Sequence, residues 1–228
     1  MGMDMQKKAD IIIIGGGVIG SSVAYHLLRD GFTGKIIIFE KDDLYEFAST
    51  PRSAGGIRQL YTTKINMELS KYSLQVYKTF ADDMAIDGER AEIDFKQRGY
   101  LFLATDGMIR KFEEHWSLQK ESGIDSQLLD NAQLLEVIPE LNTTDLAGGL
   151  FCRESGYLDP YSVMSGYVRN AKKLGAEYIY EEVDSLVTEQ NQIKGIKLTD
   201  GREYHAPIVI NCAGAWASIL GEKAGLPL

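Results

Sequence analysis

The first forty residues alternate between short apolar runs and a segment with helical spacing. Asp10–Ile14 is an apolar run that closes on glycines, which indicates a buried strand of a parallel sheet. Val18–Asp30 carries apolar residues four positions apart, which predicts a helix that ends at Gly31. A second apolar run, Lys35–Phe39, completes a βαβ unit of the doubly wound α/β class.

The middle of the chain changes character. Residues 41–63 are rich in Ser, Thr, Gly and Arg without any period, and a loop of this length in a compact domain is usually functional. Helical spacing resumes over 66–84, with one apolar face formed by Leu69, Tyr72, Val76 and Phe80. Beyond this helix the pattern predicts two antiparallel strands and two helices, at 91–95, 99–104, 107–122 and 130–137.

The last third of the chain returns to shorter elements. Asp159-Pro160 is a favourable helix start, and the helix is expected to run to about Leu174 and end at Gly175. Short strands are then predicted at 176–180, 182–189, 193–199 and 202–206. Ile208–Asn211 indicates a last buried strand, followed by a final helix.

The turn between the first strand and the first helix carries a glycine motif, Gly15-x-Gly17-x-x-Gly20. In this context Gly15 makes the tight turn, Gly17 lets the backbone approach a pyrophosphate, and Gly20 lets the helix pack closely on the strand. Glu40 ends the second strand, where a carboxylate accepts hydrogen bonds from ribose hydroxyls and repels a 2′-phosphate. The motif therefore predicts a bound dinucleotide and disfavours NADP, while FAD and NAD both remain open.

Composition and charge narrow the function classes. The 228 residues carry a net charge of −9, which makes a nucleic-acid partner unfavourable because phosphate binding needs a basic face. The early apolar run is too short to span a bilayer, so no transmembrane segment is predicted. Cys152 and Cys212 form no metal-binding motif, the three histidines are expected on solvated surfaces, and no metal site is predicted. We therefore expect a reduced, cytoplasmic protein.

The loop after the second strand carries a more specific signal. Glu40-Lys41, Ala48–Thr50 and Ser53–Arg58 resemble the D-amino-acid oxidase-like superfamily of FAD-dependent oxidoreductases. The similarity is greatest to the branch of glycine oxidase, sarcosine oxidase and dimethylglycine dehydrogenase. It extends over the whole chain, because further motifs follow in the expected order: Tyr157–Pro160, Val183 and Asn211–Trp216.

This resemblance implies a fold and a cofactor. The fold class is α/β, with a Rossmann-like FAD-binding domain that contains a parallel sheet, helices and a β-meander. That domain is discontinuous, 1–84 and 148–228, and residues 85–147 are an inserted portion of an α+β substrate domain. The implied cofactor is FAD, bound by Gly15, Gly17, Val18, Ile19, Gly20, Glu40, Lys41, Ser49, Thr50, Ser53, Ala54, Gly55, Gly56, Val183, Ala213, Gly214 and Trp216.

The resemblance also singles out Arg58 and Tyr61 for chemistry. It implies an arginine close to the flavin, where positive charge stabilises the reduced, anionic ring and attracts a carboxylate. Sarcosine oxidases similar to this chain carry a second arginine three residues after the first, and here that place holds Tyr61. Strict specificity for sarcosine is therefore disfavoured.

The implied activity is oxidation of the C–N bond of a small amine or amino acid, by hydride transfer to flavin N5, giving an imine. Two alternatives stay open: a non-catalytic FAD-binding assembly protein, and an NAD-dependent dehydrogenase that shares the glycine motif. Proteins of the superfamily continue well beyond the position that corresponds to Leu228, so we expect a piece that lacks most of its substrate domain. Substrate residues would then lie in a missing C-terminal segment or a partner subunit.

Overall fold

A computed structural model describes residues 7–226 of the chain. The helices in this range are α1 (Val18–Arg29), α2 (Lys64–Asp83), α3 (Ile109–Glu121), α4 (Asn131–Val137), α5 (Pro160–Lys173) and α6 (Ala217–Lys223). The strands are β1 (Ile11–Ile14), β2 (Ile36–Glu40), β3 (Gly56–Ile57), β4 (Tyr100–Ala104), β5 (Ser126–Leu129), β6 (Gly148–Cys152), β7 (Gly156–Tyr157), β8 (Glu177–Tyr180), β9 (Val183–Glu189), β10 (Gln192–Leu198), β11 (Glu203–His205) and β12 (Ile208–Asn211). A short 3₁₀ helix, Gly214–Trp216, precedes α6.

The chain folds as two compact units. The first contains the chain up to Ser53, Met84–Ala91 and the chain from Pro160 onward, and the second contains Ala54–Asp83 and Glu92–Asp159. These boundaries differ from the predicted insertion at 85–147, because α2, β6 and β7 belong to the second unit. The predicted domains were defined by whether they bind the cofactor or the substrate. A division into compact units does not test that assignment, so it stays a prediction.

A four-stranded parallel sheet with the order β12-β1-β2-β8 lies at the centre of the first unit. Ile11–Ile14 pairs in register with Ile208–Asn211 on one side and Ile36–Phe39 on the other. Every residue of β1 and β2 is buried. Strands covered on both faces show no polar alternation, which is why continuous apolar runs predicted them correctly.

The two faces of this sheet pack against different layers. One face shares its core with the antiparallel meander β9-β10-β11, through Ile12, Ile14, Ile37, Phe39, Ile196, Leu198 and Tyr204. The opposite face contacts α1, which comes so close that a Cβ on Gly20 would lie 3.1 Å from Ile13 Cγ2. Helix α1 also packs against α5. The first unit is therefore layered as meander, parallel sheet and helices, an α/β arrangement that confirms the predicted fold class.

The second unit is built on an antiparallel sheet with the order β4-β6-β5. Helices α3 and α4 pack on this sheet. Its main core consists of Leu60, Met67, Ala104, Phe112, Ile124, Leu150 and Cys152. The predicted helices at 107–122 and 130–137 are confirmed, and Asp130 caps α4 through a reciprocal capping box with Gln133.

Several sequence predictions in the second unit are wrong. Residues 91–95 do not form a strand, because Asp94 has a φ of 48°, a left-handed conformation that interrupts an extended chain. Strand β4 pairs with β6 instead, and both β5 and β6 were missed. Helix α2 lies close to its predicted position, but it buries Met67, Leu74 and Phe80, whereas the side chains of Leu69 and Tyr72 are 56% and 62% exposed.

Within residues 7–226, none of the helices combines the length and the apolar character that crossing a membrane requires.

Candidate dinucleotide site

The glycine loop adopts the tight turn that its sequence predicts. Gly15 has a φ of 98°, and its N–H donates to the carbonyl of Phe39 over 2.7 Å. A Cβ on Gly15 would lie 2.3 Å from the carbonyl oxygen of Cys212. A Cβ on Gly20 would lie 1.9 Å from the carbonyl oxygen of Gly15, so this position must also be glycine. These two glycines are required by the fold itself.

Gly17 has a different environment from the other two glycines. It is the N-cap of α1 and has no side chain to cap the helix, and its φ of −63° is accessible to any residue. A Cβ on Gly17 would meet only Thr50 Oγ1, at 3.4 Å. The Val18 N–H donates to the same Thr50 hydroxyl over 3.3 Å. The open space in front of Gly17 thus faces the positive end of a twelve-residue helix, which suits a phosphate.

Glu40 lies beside the glycine loop at the end of β2. Its side chain is buried, with Oε2 accepting the Gly16 N–H over 2.8 Å and Oε1 accepting the Asp42 N–H over 3.1 Å. These two bonds fix the carboxylate and leave further lone pairs on each oxygen. Such a group can accept hydrogen bonds from ribose hydroxyls, as its position at the end of the second strand predicts.

A series of side-chain hydrogen bonds supports the glycine loop, and it was not predicted from the sequence. The Tyr178 hydroxyl on β8 donates to Ser21 Oγ over 3.0 Å, and Ser21 donates to the Gly16 carbonyl over 2.7 Å. Burial raises the pKa of Tyr178 to about 12, and burial likewise raises the pKa of Tyr45 in the following loop. Both phenols therefore stay neutral under physiological conditions, and Tyr178 remains a hydrogen-bond donor.

The segment after β12 closes the site beside β1. The Cys212 N–H donates to the Ile14 carbonyl over 2.8 Å, which continues the register of the sheet. The Asn211 side chain accepts from the Ala213 N–H over 3.2 Å and donates to the Ala217 carbonyl over 2.9 Å. Asn211 therefore fixes the turn in which Trp216 lies. The Trp216 ring in turn holds Lys41, whose Nζ lies 3.6 Å from the ring centroid.

Helix α6 is tied to the meander on the other side of the site. Lys223 Nζ donates to the backbone carbonyl of Asp184 over 2.9 Å and to its carboxylate over 2.8 Å. Asp184 follows Val183, one of the residues predicted to bind FAD. The pKa of the Asp184 carboxyl is lowered by its hydrogen bonds with Lys223 and Ser185.

These elements enclose a cavity of about 330 Å³ in the first unit. Twelve of the predicted cofactor residues line it: Gly15, Gly17, Val18, Ile19, Glu40, Lys41, Ser49, Thr50, Val183, Ala213, Gly214 and Trp216. Gly20 is absent from the lining because it packs under the loop. Ser53 lies in the first unit but outside the lining. The structure thus brings most of the predicted residues together, and their individual roles in binding stay predictions.

Other lining residues were missed from the sequence. They include Asp42, Phe47, Glu182, Asp184, Thr199, Cys212, Ile219 and Lys223. Cys212 and Asp184 adjoin predicted residues, so position along the chain could have indicated them. Ile219 and Lys223 lie on α6, which carries no motif. Cys212 is half-buried, whereas Cys152 is buried.

Ala54, Gly55, Gly56, Arg58 and Tyr61 lie in the second unit. The Gly55 carbonyl accepts from the Leu158 N–H over 3.0 Å, and Gly56 pairs with Tyr157 in the two-residue ladder of β3 and β7. Arg58 follows β3 with its side chain exposed. The loop after β2 therefore contributes to both units, and the flavin contacts of its second half stay predictions.

The chemistry of the cavity lining suits the phosphate and ribose groups of a dinucleotide. The open space before Gly17 suits a phosphate, the Glu40 carboxylate can accept hydrogen bonds from ribose hydroxyls, and Ile19, Phe47 and Ile219 offer apolar side chains. Apolar walls with a few oriented polar groups are typical of cofactor sites. A more open groove of about 600 Å³ lies at the opposite, amino ends of β1 and β12, and none of the predicted site residues lines it.

The parallel sheet, the glycine loop and the cavity together define a dinucleotide-binding α/β protein. Residues 10–228 match the family of FAD dependent oxidoreductases (DAO), and the chain belongs to this family. Its cofactor is FAD, as the loop after Glu40 predicted. The chain is similar to the FAD-dependent oxidoreductase domain-containing protein 1 of Xenopus laevis, with 32% identity over 243 residues that cover 96% of this chain and 49% of the relative.

Two solved structures have a similar fold. An L-proline dehydrogenase from P. horikoshii has a TM-score of 0.83 at 29% identity, covering 96% of this chain and 56% of that chain. A glycine oxidase from Geobacillus kaustophilus has a TM-score of 0.81 at 25% identity, covering 97% of this chain and 60% of that chain. The predicted resemblance to the glycine oxidase branch is therefore confirmed. The chain spans about half the length of the curated relatives it matches, such as the Xenopus laevis protein.

Proposed function

We propose that this chain is part of an FAD-dependent oxidoreductase that oxidises the C–N bond of a small amine or amino acid. The observation that supports this most directly is the cavity, in which an open helix N-terminus at Gly17 and the fixed carboxylate of Glu40 face the same space. The similar solved proteins are an L-proline dehydrogenase and a glycine oxidase, which supports an amino-acid substrate. Loss of the hydride would leave an iminium ion, which gives the imine when an N–H proton passes to water, and water then hydrolyses the C–N bond.

In this proposal the chain binds and orients the cofactor. The N-terminus of α1 at Gly17 holds the pyrophosphate, Glu40 holds the adenosine ribose, and the main chain of Val183 meets the adenine. When bound, FAD supplies flavin N5 as the acceptor of the hydride that leaves the carbon next to nitrogen. The protein's contribution to rate is then mainly orientation and charge.

Arg58 is proposed to bind the carboxylate of the substrate. Its side chain is exposed, and no salt bridge engages it among residues 7–226. A guanidinium that keeps its charge and its five donors can bind a carboxylate through two parallel hydrogen bonds. A single arginine here suits a small amino acid with one carboxylate.

Anaerobic titration of the FAD-loaded protein tests the proposed activity. Glycine, sarcosine, proline and dimethylglycine are added in turn, and at least one is expected to bleach the visible flavin band. A yellow protein already excludes the alternative of an NAD-dependent dehydrogenase. Stable FAD binding without bleaching by any of the four amines would contradict the proposal and favour a non-catalytic assembly role.

Substitution of Arg58 tests its proposed role in the same titration. Arg58→Met is expected to raise the substrate concentration for half-bleaching by about ten- to a hundred-fold, because it removes a charge-assisted bidentate pair of hydrogen bonds. Arg110→Met is the matched control, because Arg110 is also exposed, on α3, and has no predicted role. Equal titrations for the two variants would remove Arg58 from the proposed site.

A further inference from the structure

Arg58 is held by aromatic rings in the second unit. Its guanidinium carbon lies 4.9 Å from the centroid of the Tyr61 ring and 5.6 Å from that of the Phe102 ring. The Tyr100 ring lies 5.5 Å from the Phe102 ring, centroid to centroid. The side chains of Tyr61, Tyr100 and Phe102 are partly buried against the core of the unit, whereas Arg58 is exposed.

The turn that joins Arg58 to Tyr61 is anchored at several points. The Tyr61 carbonyl accepts a hydrogen bond from Gln119 Nε2 over 3.1 Å, and the side chain of Gln119 is only 1% exposed. Gln59 is 2% exposed, and its N–H donates to Ser155 Oγ over 3.2 Å. Because both sides of the turn are tied to buried groups, the Tyr61 ring occupies a defined position relative to Arg58.

An aromatic neighbour affects a guanidinium differently from an acidic one. A carboxylate would take up two of the N–H donors and neutralise the charge. The face of an aromatic ring attracts the cation through its quadrupole and leaves the N–H groups, which lie in the guanidinium plane, available to another ligand. An aromatic support therefore fixes the side chain without using its hydrogen-bonding capacity.

We propose that Tyr61 is a positioning residue that holds the Arg58 guanidinium, by its aromatic face, ready to bind a small carboxylate. This inference rests on the proposed function, since it assigns the carboxylate of the substrate to Arg58. Arg58 is the only charged residue in the segment from Gly56 to Thr63. The segment thus offers one guanidinium for one carboxylate group.

Binding of propionate to the intact protein, followed by NMR of the arginine Nε–H groups, tests this role without turnover. Propionate is expected to shift the Arg58 resonance in a saturable way, and neutral propionamide is not. Tyr61→Leu keeps an apolar side chain but removes the ring, and it is expected to weaken propionate binding by about two- to five-fold, the size of an exposed cation–π contact. Tyr61→Phe keeps the ring and is expected to bind like the wild type.

Two further variants make the result decisive. Tyr72→Leu, at an exposed tyrosine on α2 of the same unit, is the matched control and is expected to leave binding unchanged. Phe102→Leu removes the other ring beside Arg58 and is expected to weaken binding, which keeps the test valid if Tyr61→Leu does not fold. Folding of each variant is checked by its thermal unfolding midpoint.

Several outcomes would overturn the inference. They are the absence of a propionate-dependent shift of Arg58, unchanged binding in the Tyr61→Leu variant (or in Phe102→Leu where Tyr61→Leu does not fold), or equal weakening by Tyr61→Phe, which would assign the effect to the hydroxyl. The two proposals fail separately. Flavin bleaching with unchanged binding in the Tyr61→Leu and Phe102→Leu variants would reject only the positioning role, whereas ring-dependent propionate binding without bleaching by any amine would reject only the oxidoreductase activity.

Discussion

Single residues of the glycine loop have separable roles. Gly15 and Gly20 face backbone carbonyls at distances that exclude any Cβ, so they are required for the fold. Gly17 has ordinary dihedral angles and open space beside it, so its lack of a side chain matters for what approaches the loop. The sequence motif already predicts a separate role for each of the three positions.

Alanine substitution should distinguish these roles. Gly20→Ala is expected to lower the free energy of unfolding by about 1–3 kcal/mol, because its Cβ must displace backbone. Gly17→Ala is expected to leave the thermal midpoint of the apoprotein nearly unchanged and to weaken FAD binding at least about ten-fold, because the methyl group occupies the phosphate approach. Calorimetry of both variants measures the two effects.

Gly107→Ala is the matched control for these variants, since a Cβ at Gly107 would meet nothing within 4 Å. It is expected to change neither stability nor FAD binding. Wild-type FAD affinity in Gly17→Ala would show that the pyrophosphate does not approach this position.

Cys212 should report on cavity occupancy through its thiol. Burial raises the pKa of this thiol, so little thiolate forms at neutral pH, and alkylation by iodoacetamide should be slower than that of free cysteine. The rate should rise as the pH increases toward the raised pKa. Because Cys212 lines the cavity, bound FAD is expected to slow the reaction further. Mass spectrometry of the labelled peptides measures the rate at each cysteine.

Cys152, which is 0% exposed, should stay unmodified in the folded protein, and Cys212→Ser should remove the labelling. Rapid labelling of Cys212 that FAD leaves unchanged would contradict the predicted position of the cofactor.

At the scale of elements, the packing of α1 on α5 places a titratable group between aromatic rings. His26 was predicted on a solvated surface, but it is half-buried, with its ring 5.0 Å from that of Tyr25 and 6.0 Å from that of Tyr167. Burial, reinforced by the nearby charge of Arg29, lowers the pKa of His26 below its ordinary value of 6.5. The folded protein therefore favours the neutral ring.

This shift predicts how stability depends on pH. Because the pKa of His26 is lower in the folded than in the unfolded state, its contribution is fully present above 6.5 and is lost as the pH falls through the folded value. His26→Phe keeps an aromatic ring but cannot be protonated, so its thermal midpoint should fall less than that of the wild type between pH 7 and pH 5. This pH range begins just above the ordinary histidine pKa of 6.5 and extends below it. His205→Gln, at an exposed strand position, should retain the wild-type dependence. Parallel pH profiles for wild type and His26→Phe would contradict the assignment.

The elements differed in how far their sequences determined them. Strands β1 and β2 were predicted because burial on both faces leaves an unbroken apolar run. Residues 91–95 alternate apolar and polar side chains as a strand with one buried face does, but the left-handed Asp94 interrupts the extended chain. The buried face of α2 was also mispredicted, because its apolar residues cover more than one face and only tertiary packing selects Met67 and Leu74.

At the scale of the whole molecule, the site residues that could be predicted from the sequence were those that belong to a sequence motif. Gly17 and Glu40 belong to a local pattern with a known physical role, so their positions could be derived from spacing. The support beneath them could not, since Tyr178 and Ser21 are separated by 157 positions and carry no motif. Lys223, which ties α6 to the meander, was missed for the same reason.

The cavity predicts that FAD stabilises the unit containing the parallel sheet. A ligand that binds only the folded state at a concentration of about 100 Kd adds about 2.7 kcal/mol, which raises the midpoint of a domain this large by about 5–10 °C. Glu40→Gln retains the size of the side chain but loses the charge that accepts the ribose hydroxyls. It is expected to weaken FAD about ten-fold and so to reduce the FAD-dependent shift by about half.

The FAD-dependent shift, rather than the midpoint of the apoprotein, is the quantity to compare. Glu40 also accepts the backbone N–H groups of Gly16 and Asp42, so Glu40→Gln can lower the stability of the apoprotein on its own. Glu203→Gln, at an exposed position of β11, removes an equal charge away from the cavity and should keep the full shift. Equal FAD-dependent shifts in the two variants would mean that the Glu40 carboxylate accepts only the backbone N–H groups and does not bind the cofactor. A smaller shift in Glu40→Gln alone would show that the same carboxylate both holds the glycine loop and binds the cofactor.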